Sequence, residues 1–207
     1  MIDSFFCNFV SPMITETPIE RHPWPPFMPN DPRMLMLGTF PPKPNRWSME
    51  FFYPNRMNDM WRLMGLIFYD NRDFLWDPET NAFRLDDIKA MLNEKGIALW
   101  DTAMAVRRLR DNASDKFLEI VEPINLVDLL NAHPTIDAMV TAGEKATGVI
   151  AEIAKITPPR MGECIPCTVG THRVTLWRMP SSSRAYPMSI EKKASFYRMM
   201  FIKTGIL

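Results

Sequence analysis

The stretch RMLMLGTFPP, residues 33–42, sets the pattern on which the rest of the chain is interpreted. A run of apolar residues ends at Gly38 and is followed by two prolines, as a short buried strand does when it enters a rigid loop. Three later runs have the same form, at residues 97–100 (IALW), 138–141 (AMVT) and 174–179 (VTLWRM). With residues 33–37, the sequence thus predicts four strands that each end in a polar or glycine-containing loop.

Helical patterns lie between and after these strands, at residues 58–68, 85–93, 126–131, 144–155 and 189–201. Strands that are apolar on both faces and alternate with helices indicate right-handed crossovers and a parallel sheet. We therefore predict an α/β fold, a three-layer α/β/α sandwich around a central four-stranded, mainly parallel sheet. In such sheets ligands bind outside the carboxyl ends of the strands, where all the loops named above would lie.

The length and the proline distribution predict one domain with an N-terminal arm. A chain of 207 residues that is 46% hydrophobic can bury one substantial core but is short for two. Five prolines fall between residues 23 and 32, so we expect residues 1–32 to form an extended arm on a body of residues 33–207. Trp24 and Phe27 would hold the arm in place.

Several classes of protein are disfavoured by composition. No apolar run reaches the roughly 20 residues of a membrane-spanning helix, and no export signal is evident, so we expect a cytoplasmic protein without membrane contact. Cys164 and Cys167 supply two of the four ligands typical of a zinc or iron-sulfur site, and Cys7 is far away in sequence, which favours structural thiols. The three histidines, at positions 22, 133 and 172, are interpreted as surface or capping residues. We expect neither a metal nor a cofactor.

The net charge of zero is unevenly distributed. From Arg173 to Lys203 seven basic residues accompany the single acid Glu191, so the rest of the chain carries a net charge of minus six. The C-terminal end is therefore a candidate phosphate-facing surface, although a solvated helix face would give the same pattern.

The first loop favours binding of a planar ligand over binding of a nucleotide phosphate. A glycine after a buried strand lets the backbone approach a ligand closely, and the aromatic residues that follow offer faces on which a base could stack. Neither GxxxxGK[ST] nor GxGxxG is present, so triphosphate and dinucleotide binding lose their main support. A rigid loop whose aromatic residues only pack against the arm remains the alternative.

Four segments, in this order and at these spacings, resemble the uracil-DNA glycosylase superfamily: LGTFPP (37–42), FFYPNRMNDMW (51–61), GIALWD (96–101) and RMPSSSRA (178–185). They are most similar to the branch of hypoxanthine- and uracil-acting enzymes. In that branch a Gly-Ser/Thr-x-Pro loop ends the first strand, an Asn-x-Phe-Trp element opens the next helix, and a serine-rich loop lies near the C-terminus. The resemblance spans roughly residues 33–201, and no single motif in it is specific.

The resemblance assigns the water-positioning role to Asn58. Well-studied families place an acid or amide shortly after the first-loop glycine, whereas this chain has Thr39-Phe40-Pro41 there. Asn58 matches the branch's catalytic asparagine, with Asn55 as the substitute if the alignment shifts; a helix N-cap is the alternative for Asn58. Asp101 would stabilise positive charge on the sugar or, alternatively, cap the next turn.

The same resemblance implies a base pocket and a DNA-binding loop. The base-binding set would be Gly38, Thr39, Phe40, Tyr53, Thr141 and Gly143. Thr141 and the backbone at Ala142 and Gly143 stand where many relatives use an asparagine to hold the base. In the fourth loop the DNA-binding set would be Ser181, Ser182, Ser183, Arg184 and Tyr186, with Arg184 or Tyr186 as a wedge in the space of the flipped base. A serine-rich turn that caps the last helix is the alternative.

The activity implied is that of a monomeric, monofunctional DNA N-glycosylase in base excision repair. It would flip a deaminated base, uracil or hypoxanthine, and hydrolyse its N-glycosidic bond to leave an abasic site. A catalytically reduced DNA-binding member of the same fold and a small-molecule hydrolase are the alternatives.

Overall fold

The computed structural model of the protein describes residues 17–110 and 115–207. Within these ranges the strands are β1 (Ile19–Arg21), β2 (Met34–Gly38), β3 (Trp76–Asp77), β4 (Ala82–Phe83), β5 (Ile97–Asp101), β6 (Ala103–Arg108), β7 (Leu118–Pro123), β8 (Ala138–Ala142), β9 (Cys164–Val169) and β10 (His172–Met179). The α-helices are α1 (Met60–Tyr69), α2 (Leu85–Lys95), α3 (Leu126–Ala132), α4 (Glu144–Ile153) and α5 (Ile190–Lys203).

The central sheet has the strand order β5-β2-β8-β10-β9. The first four are the predicted strands and run parallel, with Met34 opposite both Ile97 and Ala138 and with Thr175 opposite Ala138. Every residue of β2 and β5 is buried, so both faces of the sheet are covered by other elements. The predicted α/β fold with a mainly parallel sheet is confirmed.

The predicted strand number was wrong, because the sheet has a fifth strand, β9, antiparallel to β10 at its edge. Its sequence CIPCTV alternates exposed and buried positions and contains Pro166, whose lack of an N–H suits an edge strand. It therefore lacks the continuous apolar run by which the other four strands were recognised. Cys164 is exposed and Cys167 is buried, and both are free thiols.

A second, antiparallel sheet with the order β1-β6-β7 lies beside the first loop, and the sequence did not predict it. β1 and β7 are short of apolar runs because they contain glutamate and arginine, whereas the apolar AMAV segment of β6 follows β5 after one residue and was not recognised as a separate strand. β1 belongs to the described part of the N-terminal arm and pairs with β6, with Glu20 opposite Val106. The Arg108 guanidinium binds both oxygens of Glu20, with the two closest contacts at 3.0 Å, which joins the arm to the body.

Aromatic contacts hold the rest of the described arm. The Trp24 and Trp47 ring centroids are 4.6 Å apart, and those of Phe27 and Phe51 are 5.4 Å apart. The Phe27 backbone also exchanges hydrogen bonds with Leu99.

The predicted helices are present, with bounds that differ by a few residues. The difference that matters is at α1, which begins at Met60, so Asn58 precedes the helix and Asp59 is its N-cap. Among the described helices none is long and apolar enough to cross a membrane.

Candidate active site

A pocket of about 710 Å³ opens at the carboxyl ends of the parallel strands. Its wall combines the first loop, the segment before α1, the end of β5, the start of the segment leading into β7, and the serine loop 181–187. The residues predicted from sequence that line it are Gly38, Thr39, Phe40, Tyr53, Asn58, Asp101, Ser181, Ser182, Ser183 and Tyr186. The tertiary structure therefore brings together segments that are up to about 150 residues apart in sequence.

Gly38 and Asp101 are neighbours on adjacent parallel strands and are packed against each other. Gly38 is opposite Asp101 in the register of β2 and β5. A Cβ at position 38 would overlap the Asp101 Oδ1 oxygen. The glycine is therefore required so that the Asp101 carboxyl group can lie directly against the first loop.

Asp101 is held by His22, which comes from the N-terminal arm. His22 Nε2 lies 3.0 Å from Asp101 Oδ2, and both side chains are less than a tenth exposed. His22 Nδ1 lies 2.8 Å from the Trp24 carbonyl oxygen and 3.3 Å from the Trp24 backbone nitrogen, so the Trp24 main chain fixes the orientation of the imidazole ring. The interpretation of His22 as a surface or capping residue was wrong, because its side chain is buried against Asp101 behind the pocket lining.

Gly38→Ala should destabilise the protein by about 1–3 kcal/mol, because the new methyl group must displace a buried carboxyl group that is fixed by His22. Urea unfolding measures the change. The control is Gly148→Ala on α4, where a Cβ meets nothing within 4 Å. In a helix interior that change should stabilise by roughly 0.5–1 kcal/mol. Equal effects of the two substitutions would contradict close packing at Gly38.

A second carboxyl group, Asp115, lies in the pocket and was not singled out from sequence. The Thr39 hydroxyl donates to Asp115 Oδ2 at 2.8 Å. The first loop lacks an acid of its own, and Asp115 supplies one from 76 residues away. Burial, with a smaller contribution from Asp101, raises the pKa of Asp115, while the Thr39 hydrogen bond, Lys145 and Arg108 oppose that shift. No local sequence pattern marks Asp115, because it reaches the pocket only through its contact with Thr39, the residue that follows β2.

Asp115→Asn should increase the free energy of unfolding at pH 7. A carboxyl group with a raised pKa in the folded state contributes stability below its ordinary pKa of 3.8 and loses it as the pH rises through the folded value. The amide keeps the acceptor for Thr39 but carries no charge, so the gain should shrink toward pH 4. Urea unfolding at several pH values gives both results. Asp77→Asn is the control of opposite sign, because hydrogen bonds from Thr80 and Glu79 lower the pKa of Asp77.

Tyr53 presents a buried hydroxyl group to the pocket. Its φ is 51°, a left-handed conformation that is unusual for a residue other than glycine. Its hydroxyl oxygen has no hydrogen-bond partner among the described residues. Burial, and then Asp101, raise the pKa of Tyr53 well above its ordinary value, so the phenol keeps its proton. The side chain therefore offers a free hydrogen-bond donor to a bound ligand.

Asn58 lines the pocket and also makes a local backbone contact. Its Oδ1 accepts from the Met60 N–H at 2.9 Å, which stabilises the turn into α1. Asn55, which precedes it in the same segment, makes the same kind of contact with the Met57 N–H, also at 2.9 Å. Asn58 therefore stabilises the turn before α1 but is not its N-cap, which is Asp59, and the partly buried residue lines the pocket.

Thr141 does not reach the pocket, which corrects its predicted role in base binding. The side chain is fully buried, and its hydroxyl contacts the Thr147 hydroxyl at 2.8 Å and the Trp177 carbonyl oxygen at 3.1 Å. Gly143 is the N-cap of α4 and does not line the pocket, and Ala142 lines it in place of these two residues. The strand continues one residue beyond its predicted end, so Thr141 points into the core.

The serine loop is joined to the segment before α1 by a short antiparallel contact. Asp59 N–H donates to the Ser182 carbonyl oxygen at 2.8 Å, and Arg184 N–H donates to Met57 at 3.2 Å, with Asn58 opposite Ser183. The hydroxyl oxygens of Ser181 and Ser183 accept backbone N–H groups within the loop. The helix α5 is capped by Ser189 instead. Asn58 and the serine loop are therefore joined in one hydrogen-bonded unit.

A buried ion pair fixes this unit. Lys193 of α5 is fully buried, and its Nζ lies 3.3 Å from Asp59 Oδ2 and 2.8 Å from the Ser183 carbonyl oxygen. Lys193 was grouped by sequence with a phosphate-facing surface, and its burial excludes it from that surface. The other Asp59 oxygen accepts from Arg184 Nε at 3.1 Å.

The contacts of Arg184 do not fit the predicted wedge. Besides Asp59, its guanidinium donates to the Arg56 carbonyl oxygen at 3.3 Å. These bonds hold the Arg184 side chain outside the pocket lining. Tyr186 is the large side chain of the serine loop that does line the pocket.

Within residues 17–110 and 115–207, no group of three or more His, Cys, Asp or Glu side chains is placed to hold a metal ion.

The fold has a counterpart among solved structures. The solution NMR structure of a protein from Methanosarcina acetivorans, described as a "putative Uracil DNA glycosylase", matches this chain with a TM-score of 0.61 at 20% sequence identity. The match covers 90% of this chain and 99% of that one. The two proteins share a fold. No family model matches the chain, and no curated protein matches its sequence.

Proposed function

We propose that this protein is a monofunctional DNA glycosylase that extrudes a deaminated base, uracil or hypoxanthine, and hydrolyses its N-glycosidic bond. The observation that carries the proposal is the pocket itself, in which the first loop, Asn58, Asp101 and the serine loop converge at the carboxyl ends of the parallel strands. A volume of about 710 Å³ admits a nucleotide. The shared fold with the Methanosarcina protein supports the same class of activity.

In the proposed reaction the bond between the sugar carbon and the base nitrogen breaks, and the bonding electrons leave with the base. Positive charge develops on the sugar and negative charge on the base. The Asp101 carboxylate, held by His22, would stabilise the sugar cation electrostatically. Backbone N–H groups near Thr39 and Phe40 and the Tyr53 hydroxyl would stabilise the leaving base.

Water would complete the reaction by attacking the sugar carbon. Asn58 orients this water in our proposal, since the residue lines the pocket beside the first loop. An amide is a weak proton acceptor, so a carboxylate is needed to take the proton. Asp115, bonded to Thr39 in the same pocket, is a candidate for that step beside Asp101.

The extruded base would stack on Phe40, which lines the pocket and whose ring is supported edge-on by His22 at 5.6 Å. Tyr186 would enter the space that the base leaves in the duplex, and the serine loop would contact the flanking phosphates. Because Thr141 is buried, the Watson-Crick edge of the base would meet Ala142 and the backbone beside it.

The deciding experiment incubates an excess of protein with duplexes that contain one uracil, hypoxanthine, xanthine or mispaired thymine, followed by alkali to cleave abasic sites. Release of uracil or hypoxanthine is the expected result. Absence of product from every duplex would refute the glycosylase proposal. Binding of these duplexes without base release would instead favour a DNA-binding protein of the same fold.

A further inference from the structure

A second cleft, of about 400 Å³, opens beside the base pocket and is lined by four arginines, Arg46, Arg56, Arg62 and Arg184. Three asparagines, Met57 and Trp76 complete the lining, and no acidic residue of the described chain belongs to it. We call it the arginine cleft. Its arginines come from four separate places: a 3-10 turn in the first loop, the segment before α1, α1 itself and the serine loop.

Arg62 is held rigidly in this cleft. Its guanidinium lies 4.9 Å from the centre of the Trp76 ring and 5.3 Å from that of Phe83, and Nη1 donates to the Arg56 carbonyl oxygen at 3.1 Å. Stacking and a fixed hydrogen bond reduce the entropy that the side chain loses when it binds a ligand. Arg62 is thus preorganised.

Arg184 is brought to the same point. It donates to the same Arg56 carbonyl oxygen at 3.3 Å, so the two guanidinium groups converge on one acceptor. Burial, and then the charge of Arg184, lower the pKa of Arg62. Two cations held this close repel each other, and the repulsion would be relieved by an anion placed between them.

The acids near the cleft do not balance its charge. Asp59 contacts Arg184, but its other oxygen contacts the buried Lys193. Asp73 lies 3.6 Å from Arg62 and is more than half exposed. Arg46 and Arg56 are exposed, and neither has an ion-pair partner among residues 17–110 and 115–207.

The arginine cleft continues the base pocket, because Arg46, Asn55 and Met57 line both. A nucleotide whose base occupies the pocket keeps its phosphates at the mouth, and the next phosphates of the strand lie one nucleotide further on either side. We propose that the arginine cleft binds the backbone phosphates of the DNA strand next to the extruded nucleotide, an assignment that rests on the proposed function. A single arginine guanidinium group can donate two parallel hydrogen bonds to the oxygens of one phosphate, which suits this ligand.

The test compares two pairs of charge-removing substitutions in full-length protein. Arg46→Gln with Arg56→Gln removes two exposed cleft charges whose side chains make no hydrogen bond or ion pair within residues 17–110 and 115–207. Arg173→Gln with Lys203→Gln removes the same charge from the C-terminal basic set that the sequence favoured. Affinity for an undamaged duplex and for a uracil-containing duplex is measured by fluorescence anisotropy from 50 to about 200 mM salt. Thermal unfolding checks that each variant is folded.

The cleft pair should weaken binding to both duplexes at least tenfold at low salt and reduce the slope of log affinity against log salt by about 1–2. The C-terminal pair should change affinity less than threefold. The assignment would be overturned if both pairs of substitutions reduced DNA affinity equally, or if the cleft pair did not reduce it at all. Tight binding of inorganic pyrophosphate at the cleft with no competition from DNA would also overturn it, since that indicates a small-anion site.

Failure of this inference is distinguishable from failure of the proposed function, because binding to undamaged DNA is measured without base release. If no base is released but the cleft pair alone weakens DNA binding, the cleft assignment stands and the glycosylase proposal falls. If base is released and both substituted proteins bind DNA like wild type, the glycosylase proposal stands and the cleft assignment falls.

Discussion

Asp59→Ala should destabilise the protein by about 3–5 kcal/mol, which is the largest stability effect that we expect from a single substitution. Lys193 has no exposed surface, and Asp59 is the acid that its Nζ contacts. Removal of that acid leaves a buried ammonium group with the Ser183 carbonyl oxygen but without a counter-charge. Urea unfolding at pH 7 measures the change in the free energy of unfolding.

Two comparisons separate burial from ordinary ion pairing. Asp73→Ala removes an acid that pairs with Arg62 at 3.6 Å but is more than half exposed, so it should cost less than about 1 kcal/mol. Asp59→Ala combined with Lys193→Met removes both charges and should recover part of the loss, because apolar replacement of a buried pair is often nearly neutral. A loss below 1 kcal/mol for Asp59→Ala alone would show that Lys193 does not depend on this acid.

Asn58→Ala should reduce base release by roughly 10²–10³-fold, as does removal of a preorganised polar group that acts in the transition state. The same substitution also removes the Oδ1 contact to the Met60 N–H, worth about 0.5–2 kcal/mol of stability. Single-turnover kinetics on a uracil- or hypoxanthine-containing duplex measure the first effect, and urea unfolding measures the second.

Asn55 and serine substitutions separate catalysis from capping. Asn55→Ala loses the same kind of turn contact, to the Met57 N–H, and should retain base release. Asn58→Ser keeps an oxygen for the Met60 N–H, so it should be nearly as stable as wild type and still be slow. Wild-type rates in Asn58→Ser would refute the water-positioning role of Asn58. Loss of activity in Asn55→Ala instead would move the role to Asn55, and loss only in Asp115→Asn would move it to that carboxylate.

Much of the fold was predictable because it depends on continuous apolar segments. β2, β5, β8 and β10 carry their signal locally, and a sheet covered on both faces requires such runs. β1, β7 and β9 were missed because polar and charged residues alternate in strands that have one exposed side, and β6 was missed because its apolar segment follows β5 after one residue. Pairing with a neighbouring strand fixes these strands, and no short segment contains that information.

The candidate site divides in the same way. The first loop, Asn58, Asp101 and the serine loop lie directly beside strand and helix ends, so the sequence alone located them. His22 and Asp115 come from segments without a local pattern, and only the folded chain places His22 against Asp101 and Asp115 against Thr39. For Thr141 and Arg184 the residue type suited the predicted role but the folded contacts do not. Thr141 bonds to Trp177 in the core, and Arg184 bonds to Asp59 outside the pocket lining.

The RMLMLG stretch at residues 33–38 therefore determined, by itself, a buried parallel strand and the place where a ligand pocket would open. It did not determine the charge in that pocket. The tertiary structure decided that Asp101 lies against Gly38 and is held by His22, that Asp115 joins the pocket wall, and that four arginines line a cleft beside it. Hydrophobic pattern is a property of neighbours in sequence, whereas electrostatic environment is a property of neighbours in space.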